Sequence, residues 1–301
     1  MQTLFAAPDR LWPEWSGALM AACPEMTLLR HAPDPAAIDA IIYAPGGEID
    51  DLTPFVNARL VQSLWAGVER IVANPTLTQP LARMVDPGLT RSMAEYCTGW
   101  TMRAHLEQDR YRQDGVWRNG QIPPLASERP VTILGMGALG QAVAAMLAPI
   151  GFPLTGYSAR GRPVPGVKVT RDLDAALGSA QILIALLPDT ADTRGLLDAD
   201  RLALLPRGAT LINAGRGSLV DEQALIAALD GFGLARAVLD VFTVEPLPPE
   251  HPFWSHPQIT VTPHIAAETR PATAAQVVAE NLRRAMAGEP ILHLVDRERG
   301  Y

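Results

Sequence analysis

The segment Val131-Thr-Ile-Leu-Gly135-Met-Gly137-Ala-Leu-Gly140 constrains this chain more than any other. An apolar run of strand length meets G-x-G-x-x-G and continues as an apolar helix. Each glycine has its own physical role. Gly135 permits a tight turn, Gly137 lets the backbone approach a pyrophosphate, and Gly140 lets helix and strand pack closely. The first amides of that helix, those of Ala138 and Leu139 among them, have no acceptor within it and face an anion. Taken alone the hexapeptide is a weak signal, with a plain structural turn as its rival. Its setting strengthens it. From about residue 131 to 263 short apolar runs alternate with helix-like stretches, with strands expected at Val131–Gly135, Leu154–Ser158, Gln181–Leu187, Ala209–Asn213, Arg236–Asp240 and Ile259–Thr262. Val167–Val169 reads as a further edge strand. Strands apolar on both faces and joined by helices belong to a parallel sheet with right-handed crossovers. The expected fold class is therefore α/β, a doubly wound parallel sheet of the Rossmann type.

The remaining chain reads as a smaller α/β unit. Strands are expected at Thr3–Ala7, Ala40–Tyr43 and Arg59–Leu64, and helices at Leu11–Ala22, Ser92–Tyr111 and Thr273–Met286. Both chain ends fall outside the regular block. The expectation is a discontinuous substrate-binding domain, residues 1–98 with 268–301, flavodoxin-like in class, around a dinucleotide-binding domain at 99–267.

Charge removes several chemistries. The 301 residues carry 25 Lys+Arg against 32 Asp+Glu, a net charge of −7, and the only lysine is Lys168. No Gly-Lys-Ser/Thr phosphate loop is possible, and Schiff-base chemistry would have to use that one lysine. The acidic balance argues against a nucleic-acid partner. No apolar run reaches the ~18 residues of a membrane span, and Met1–Arg10 does not read as a signal peptide. Cys23 and Cys97 show no metal-like spacing and read as reduced thiols, so no metal and a cytoplasmic location are expected. Anions must then be handled by arginine, whose planar fork grips carboxylate or phosphate in two places.

Cofactor choice turns on the next strand. It ends Tyr157-Ser158-Ala159-Arg160-Gly161-Arg162, without the Asp or Glu that accepts from an NAD ribose. Ser158, Arg160 and Arg162 suit a 2′-phosphate instead, which favours NADPH, with NADH as a weaker cofactor. Solvated loop arginines are the alternative reading. Three later segments place polar groups at strand ends, where such sheets bind ligands. Arg216 lies between glycines after Asn213, Glu245 sits on a proline-bounded loop, and His264 follows Thr262-Pro263. Five other histidines lack that setting. A Glu245–His264 hydrogen bond would hold one imidazole tautomer and raise its pKa, while Arg216 grips a 2-keto acid. The other arginines read as compositional background and solvated surface.

Those residues carry a resemblance. Trp65-Ala66-Gly67-Val68-Glu69, Gly135–Gly140, Asn213–Glu222, Asp240–Pro248 and Thr262–Ala267 resemble the D-2-hydroxyacid dehydrogenases over essentially the whole chain. Within that family the chain is most similar to the branch that reduces glyoxylate and hydroxypyruvate. The resemblance implies catalytic roles for Arg216, Glu245 and His264, and substrate binding by the Trp65-Ala66-Gly67 loop and Arg216. It implies cofactor contacts at the glycine turn, Ser158, Arg160, Arg162, Leu187, Pro188, Ala214, Asp240 and His264. It further implies NADPH, a small 2-keto acid substrate, a homodimer with Ser92–Tyr111 near the subunit contact, and closure of the two domains to exclude water. Two departures stand out: Glu69 replaces the usual Asp, and Trp65 replaces a small residue. A relative acting on another 2-hydroxy acid, and a non-catalytic nucleotide sensor, are the rival readings.

Overall fold

The computed structural model describes residues 1–297 except 112–114, 118 and 121. It divides into two compact units, Met1–Leu89 with Glu268–Tyr301, and Thr90–Ala267. The sequence places the first boundary at 98/99; the division instead falls at 89/90.

The smaller unit carries β1 (Gln2–Ala6), α1 (Trp12–Ala22), β2 (Thr27–Leu29), β3 (Ala40–Tyr43), β4 (Val61–Ser63), α2 (Glu69–Val72) and β5 (Leu81–Ala82). Its five strands, all parallel, lie in the order β2-β1-β3-β4-β5. This is the flavodoxin-like order. β2 and β5 are absent from the sequence reading because three and two residues are too few to show a period. One face is covered by Trp15 and Leu19 of α1, together with the Ala274, Val278 and Leu282 stripe of the carboxy-terminal helix. The other buries Leu52, Phe55, Val68, Ile71 and Val295.

α3 (Pro87–His105) starts five residues earlier than expected and stops six residues sooner. Its start is local chemistry: the Asp86 carboxylate accepts from the Gly88 amide (2.7 Å) and the Leu89 amide (3.3 Å), while Pro87 needs no acceptor. The larger unit continues through β6 (Val131–Leu134), α4 (Ala138–Leu147), β7 (Leu154–Tyr157), β8 (Lys168–Thr170), α5 (Leu173–Leu177) and β9 (Ile182–Ala185). Then come α6 (Ala199–Ala203), β10 (Ala209–Asn213), α7 (Glu222–Asp230), β11 (Leu234–Leu239) and β12 (Ile259–Val261). The seven strands run parallel in the order β12-β11-β10-β9-β6-β7-β8. Alternation splits each strand between two cores. Ile133, Ile182, Ile184, Ile212 and Val238 pack with Cys97, Val143 and Leu147, whereas Leu134, Leu183, Leu211 and Leu239 pack with Leu177, Leu225 and Leu229. Strands buried on both faces are what a doubly wound sheet requires. The strand order reverses between β6 and β9, which marks the ligand crevice at their carboxyl ends. The chain closes with α8 (Pro271–Ala287) in the smaller unit. Among the described residues no helix is long and apolar enough to cross a membrane.

Candidate active site

The glycine turn lies at that switch point. Gly135 has φ +103°, and a Cβ there would sit 2.8 Å from the Leu186 carbonyl oxygen at the end of β9. A Cβ on Gly140 would run into the Gly135 carbonyl, so α4 packs on its own turn only because both are glycine. Gly137 differs: a Cβ there meets nothing within 4 Å. Gly137 and Ala138 are exposed and Leu139 half-buried, so the opening amides of the ten-residue α4 face open space. That open cradle, with its positive helix end, fits a dinucleotide pyrophosphate.

After β7 the chain turns at Ser158, whose carbonyl accepts from the Gly161 amide (3.0 Å). Ser158 is half-buried and Arg160 and Arg162 are exposed, with no acid in the turn. The β9 and β10 ends meet closely: the Ala214 amide donates to Ala185 (3.2 Å), and Gly215 lies against the Leu187 carbonyl. Leu187 and Pro188 are half-buried beside it, and the Pro188 carbonyl accepts from the Thr193 hydroxyl (2.6 Å).

Arg216 is set by Asn213, which is 1% exposed at the end of β10. The Asn213 amide nitrogen donates to the Arg216 carbonyl (2.9 Å), and its oxygen accepts from the Gly215 amide (3.1 Å). The Arg216 guanidinium donates to the Gly215 carbonyl (2.6 Å) and stays half-exposed. Gly217 then packs directly on the Phe242 backbone, which ties this loop to the one bearing Glu245. Glu245 uses both oxygens: Oε1 accepts from the Phe242 amide (2.9 Å) and Oε2 from His264 Nδ1 (2.8 Å). A carboxylate only accepts, so Nδ1 carries the proton and Nε2 is the nitrogen left for chemistry.

The electrostatics follow from that geometry. The hydrogen bond to Glu245 raises the His264 pKa above its ordinary value. Partial burial opposes the rise, the charges of Glu245 and Asp240 add to it, and Arg216 opposes it. Burial pushes Glu245 up, but the bonds from His264 and the Phe242 amide outweigh it and leave the carboxyl below its usual range. Arg216 acts on both groups, so the three expected residues share one electrostatic site. Such a site favours the protonated form of His264 and attracts an anion beside it.

Asp240, expected among the cofactor contacts, has a further role. It is 1% exposed, and its carboxylate accepts from Thr262 Oγ1 (2.6 Å), the Ile265 amide (3.0 Å) and the Ala266 amide (2.9 Å). Its carbonyl accepts from the His264 amide (2.9 Å). His264 has φ +53°, an unfavourable conformation for a residue with a Cβ, and Asp240 grips the chain on both sides of it. Thr262 also meets the Tyr96 hydroxyl of α3 at 2.6 Å, and burial pushes that phenol upward, so Tyr96 remains a donor. Sequence reasoning missed Tyr96 and Thr262, which lie 166 positions apart and carry no local signal. Trp65, Ala66 and Gly67 follow β4 in the smaller unit and are half-buried. Ser63 Oγ accepts from the Trp65 amide (2.9 Å), which shapes the start of that loop.

Comparison with known proteins was consistent in kind. Residues 99–266 match the family described as D-isomer specific 2-hydroxyacid dehydrogenase, NAD binding domain. The chain is 36% identical over 319 aligned positions, covering 100% of both sequences, to the glyoxylate/hydroxypyruvate reductase A of Salmonella enteritidis PT4. A D-isomer specific 2-hydroxyacid dehydrogenase from Xanthobacter autotrophicus Py2, solved in complex with NADPH and MES, is similar with a TM-score of 0.93. It is 37% identical, over 100% of this chain and 99% of that one. An NADPH-dependent glyoxylate/hydroxypyruvate reductase from Sinorhizobium meliloti, in complex with NADP and sulfate, gives a TM-score of 0.90. Its identity is 33%, with the same coverage.

Proposed function

The chain belongs to the D-isomer specific 2-hydroxyacid dehydrogenases, and on that premise we propose that it reduces small 2-keto acids, glyoxylate and hydroxypyruvate, with NADPH. The single observation that carries this reading is the 2.8 Å His264–Glu245 pair within reach of the Arg216 charge. The amides of Gly137, Ala138 and Leu139 would hold the pyrophosphate, with Leu187, Pro188, Ala214 and Asp240 along the crevice. Ser158, Arg160 and Arg162 would take the 2′-phosphate. When bound, the cofactor supplies the hydride. The protein supplies the rest. Arg216 clamps the carboxylate and polarises the carbonyl, with the Ala66 and Gly67 amides as further donors. His264 delivers a proton from Nε2 to the carbonyl oxygen, and Glu245 steadies the imidazolium through Nδ1.

The test is loss of NADPH absorbance with a panel of 2-keto acids, in wild type and in His264→Asn. Turnover of glyoxylate or hydroxypyruvate, with NADPH preferred to NADH and a kcat loss of about 100-fold or more in the variant, is expected. A flat trace with every acid refutes the reading and favours the nucleotide sensor.

The same proposal includes a cytoplasmic homodimer. The buried, unpaired thiols of Cys23 and Cys97 support a reducing compartment. Exposed Val116, Trp117, Ile122 and Leu125, with Trp117 89% exposed, support a subunit contact nearby. Light scattering on the purified chain tests the dimer.

A further inference from the structure

Among the described residues six arginines are half-buried: Arg83, Arg129, Arg201, Arg216, Arg236 and Arg284. Five have acceptors. Arg129 meets Glu107, Arg201 meets Asp174 and Asp198, Arg216 meets the Gly215 carbonyl, Arg236 meets Asp109 and Arg284 meets Glu280. The Arg83 guanidinium has none among the described residues. A charge withdrawn from water without a partner is costly, and folding alone gives no reason to keep it there. Burial lowers the Arg83 pKa, and its charge in turn helps to hold His293 below its ordinary value.

Position supplies the second observation. β4 and β5 are parallel, with Val61 beside Leu81 and Gln62 beside Ala82, and Arg83 follows directly on the last pair. Both strands end at the same edge. There the Met84 amide donates to the Trp65 carbonyl (3.0 Å), which joins the Arg83 segment to the Trp65–Gly67 loop. Val61 and Leu81 share a core with Val68, and period-two alternation puts Arg83 on that same face, where Gly67 leads into Val68. The half-buried amides of Ala66 and Gly67 likewise have no acceptor among the described residues. Free amides and a free guanidinium at one sheet edge make a carboxylate cradle.

We propose that Arg83 binds the carboxylate of the 2-keto acid together with the Ala66 and Gly67 amides, and so selects acids over neutral carbonyl compounds. This rests on the proposed reductase activity. Arg83 is then a substrate ligand contributed by the smaller unit.

The test compares wild type, Arg83→Met and Arg83→Lys with glyoxylate and with its uncharged methyl ester. In Arg83→Met, kcat/KM for glyoxylate falls about 50-fold, mostly through KM, as expected for a lost charged hydrogen bond. Turnover of the ester and the NADPH dissociation constant stay as in wild type, and Arg83→Lys recovers part of the loss. Oxalate, an unreactive dianion of similar size, raises the melting temperature of wild type but not of Arg83→Met. Without oxalate, removal of an unpaired charge leaves Arg83→Met at least as stable as wild type. A melting temperature clearly below wild type makes Arg83 structural and overturns the inference. So does an equal effect, or none, on glyoxylate and its ester while wild type is active. A wild-type chain idle with every 2-keto acid overturns the proposed function first, and this inference with it.

Discussion

Replacing Asp240 by asparagine or alanine separates two amounts of damage that the structure allows to be counted. The wild-type carboxylate accepts from one hydroxyl and two backbone amides, all at 3.0 Å or less, in a site 1% exposed. Asparagine keeps one oxygen. Oriented toward Thr262 and Ile265, it points its NH2 group at the Ala266 amide; flipped, it points that group at the Ile265 amide. Either way one backbone donor loses its acceptor, at a cost of about 1–3 kcal/mol. Alanine strands both amides and one Thr262 contact, so its cost rises to about 3–5 kcal/mol. The left-handed His264 is held by these bonds, and strain of this kind is worth about 1–3 kcal/mol when nothing over-determines it. Both variants therefore release the loop that carries the proton donor. Urea unfolding and steady-state kinetics check this together. The expected order of midpoints is wild type, then Asp240→Asn, then Asp240→Ala, with kcat falling in the same order. Equal midpoints for the two variants, or an alanine variant with wild-type kcat, would refute the account.

Glu245→Gln removes the charge that raises His264. Reduction needs the protonated imidazole, so its rate falls as pH rises through the folded His264 pKa, and in the variant that fall begins at lower pH; a pH–kcat/KM profile checks it. Thermal scans against pH check the same pair for stability. The Glu245 contribution is lost as pH falls through its lowered folded value, and the His264 contribution as pH rises through its raised one. Arg160→Ala should cut the NADPH-to-NADH ratio of kcat/KM about tenfold, and an unchanged ratio would remove Arg160 from the 2′-phosphate site. Gly140→Ala drives a methyl into the Gly135 carbonyl and should cost about 1–3 kcal/mol while weakening NADPH binding, read by denaturation and fluorescence titration.

Much of the larger unit was legible because its signals are local. β6, the glycine turn and α4 occupy consecutive residues, and the role of each glycine follows from the step that the backbone must make there. His264 and Arg216 could be singled out because each directly follows an apolar strand. The smaller unit was harder. β2 and β5 are too short to carry periodicity, and α3 begins at Pro87 because Asp86 caps it, a signal that lay upstream of the apolar stretch used to place the helix.

Sequence alone determined which segments are strands buried on both faces, where the phosphate-binding turn lies and which residue types stand at the strand ends. These are properties of neighbours along the chain, set by periodicity and by backbone freedom. Only the tertiary structure decided who meets whom. It put Glu245 2.8 Å from His264 and connected Tyr96 through Thr262 to Asp240. It also withheld from Arg83 the acceptor that every other half-buried arginine among the described residues has. In the sequence Arg83 was one of 24 arginines and had no distinguishing neighbour. Burial without a partner is a property of packing, and packing gathers residues that are far apart in the chain.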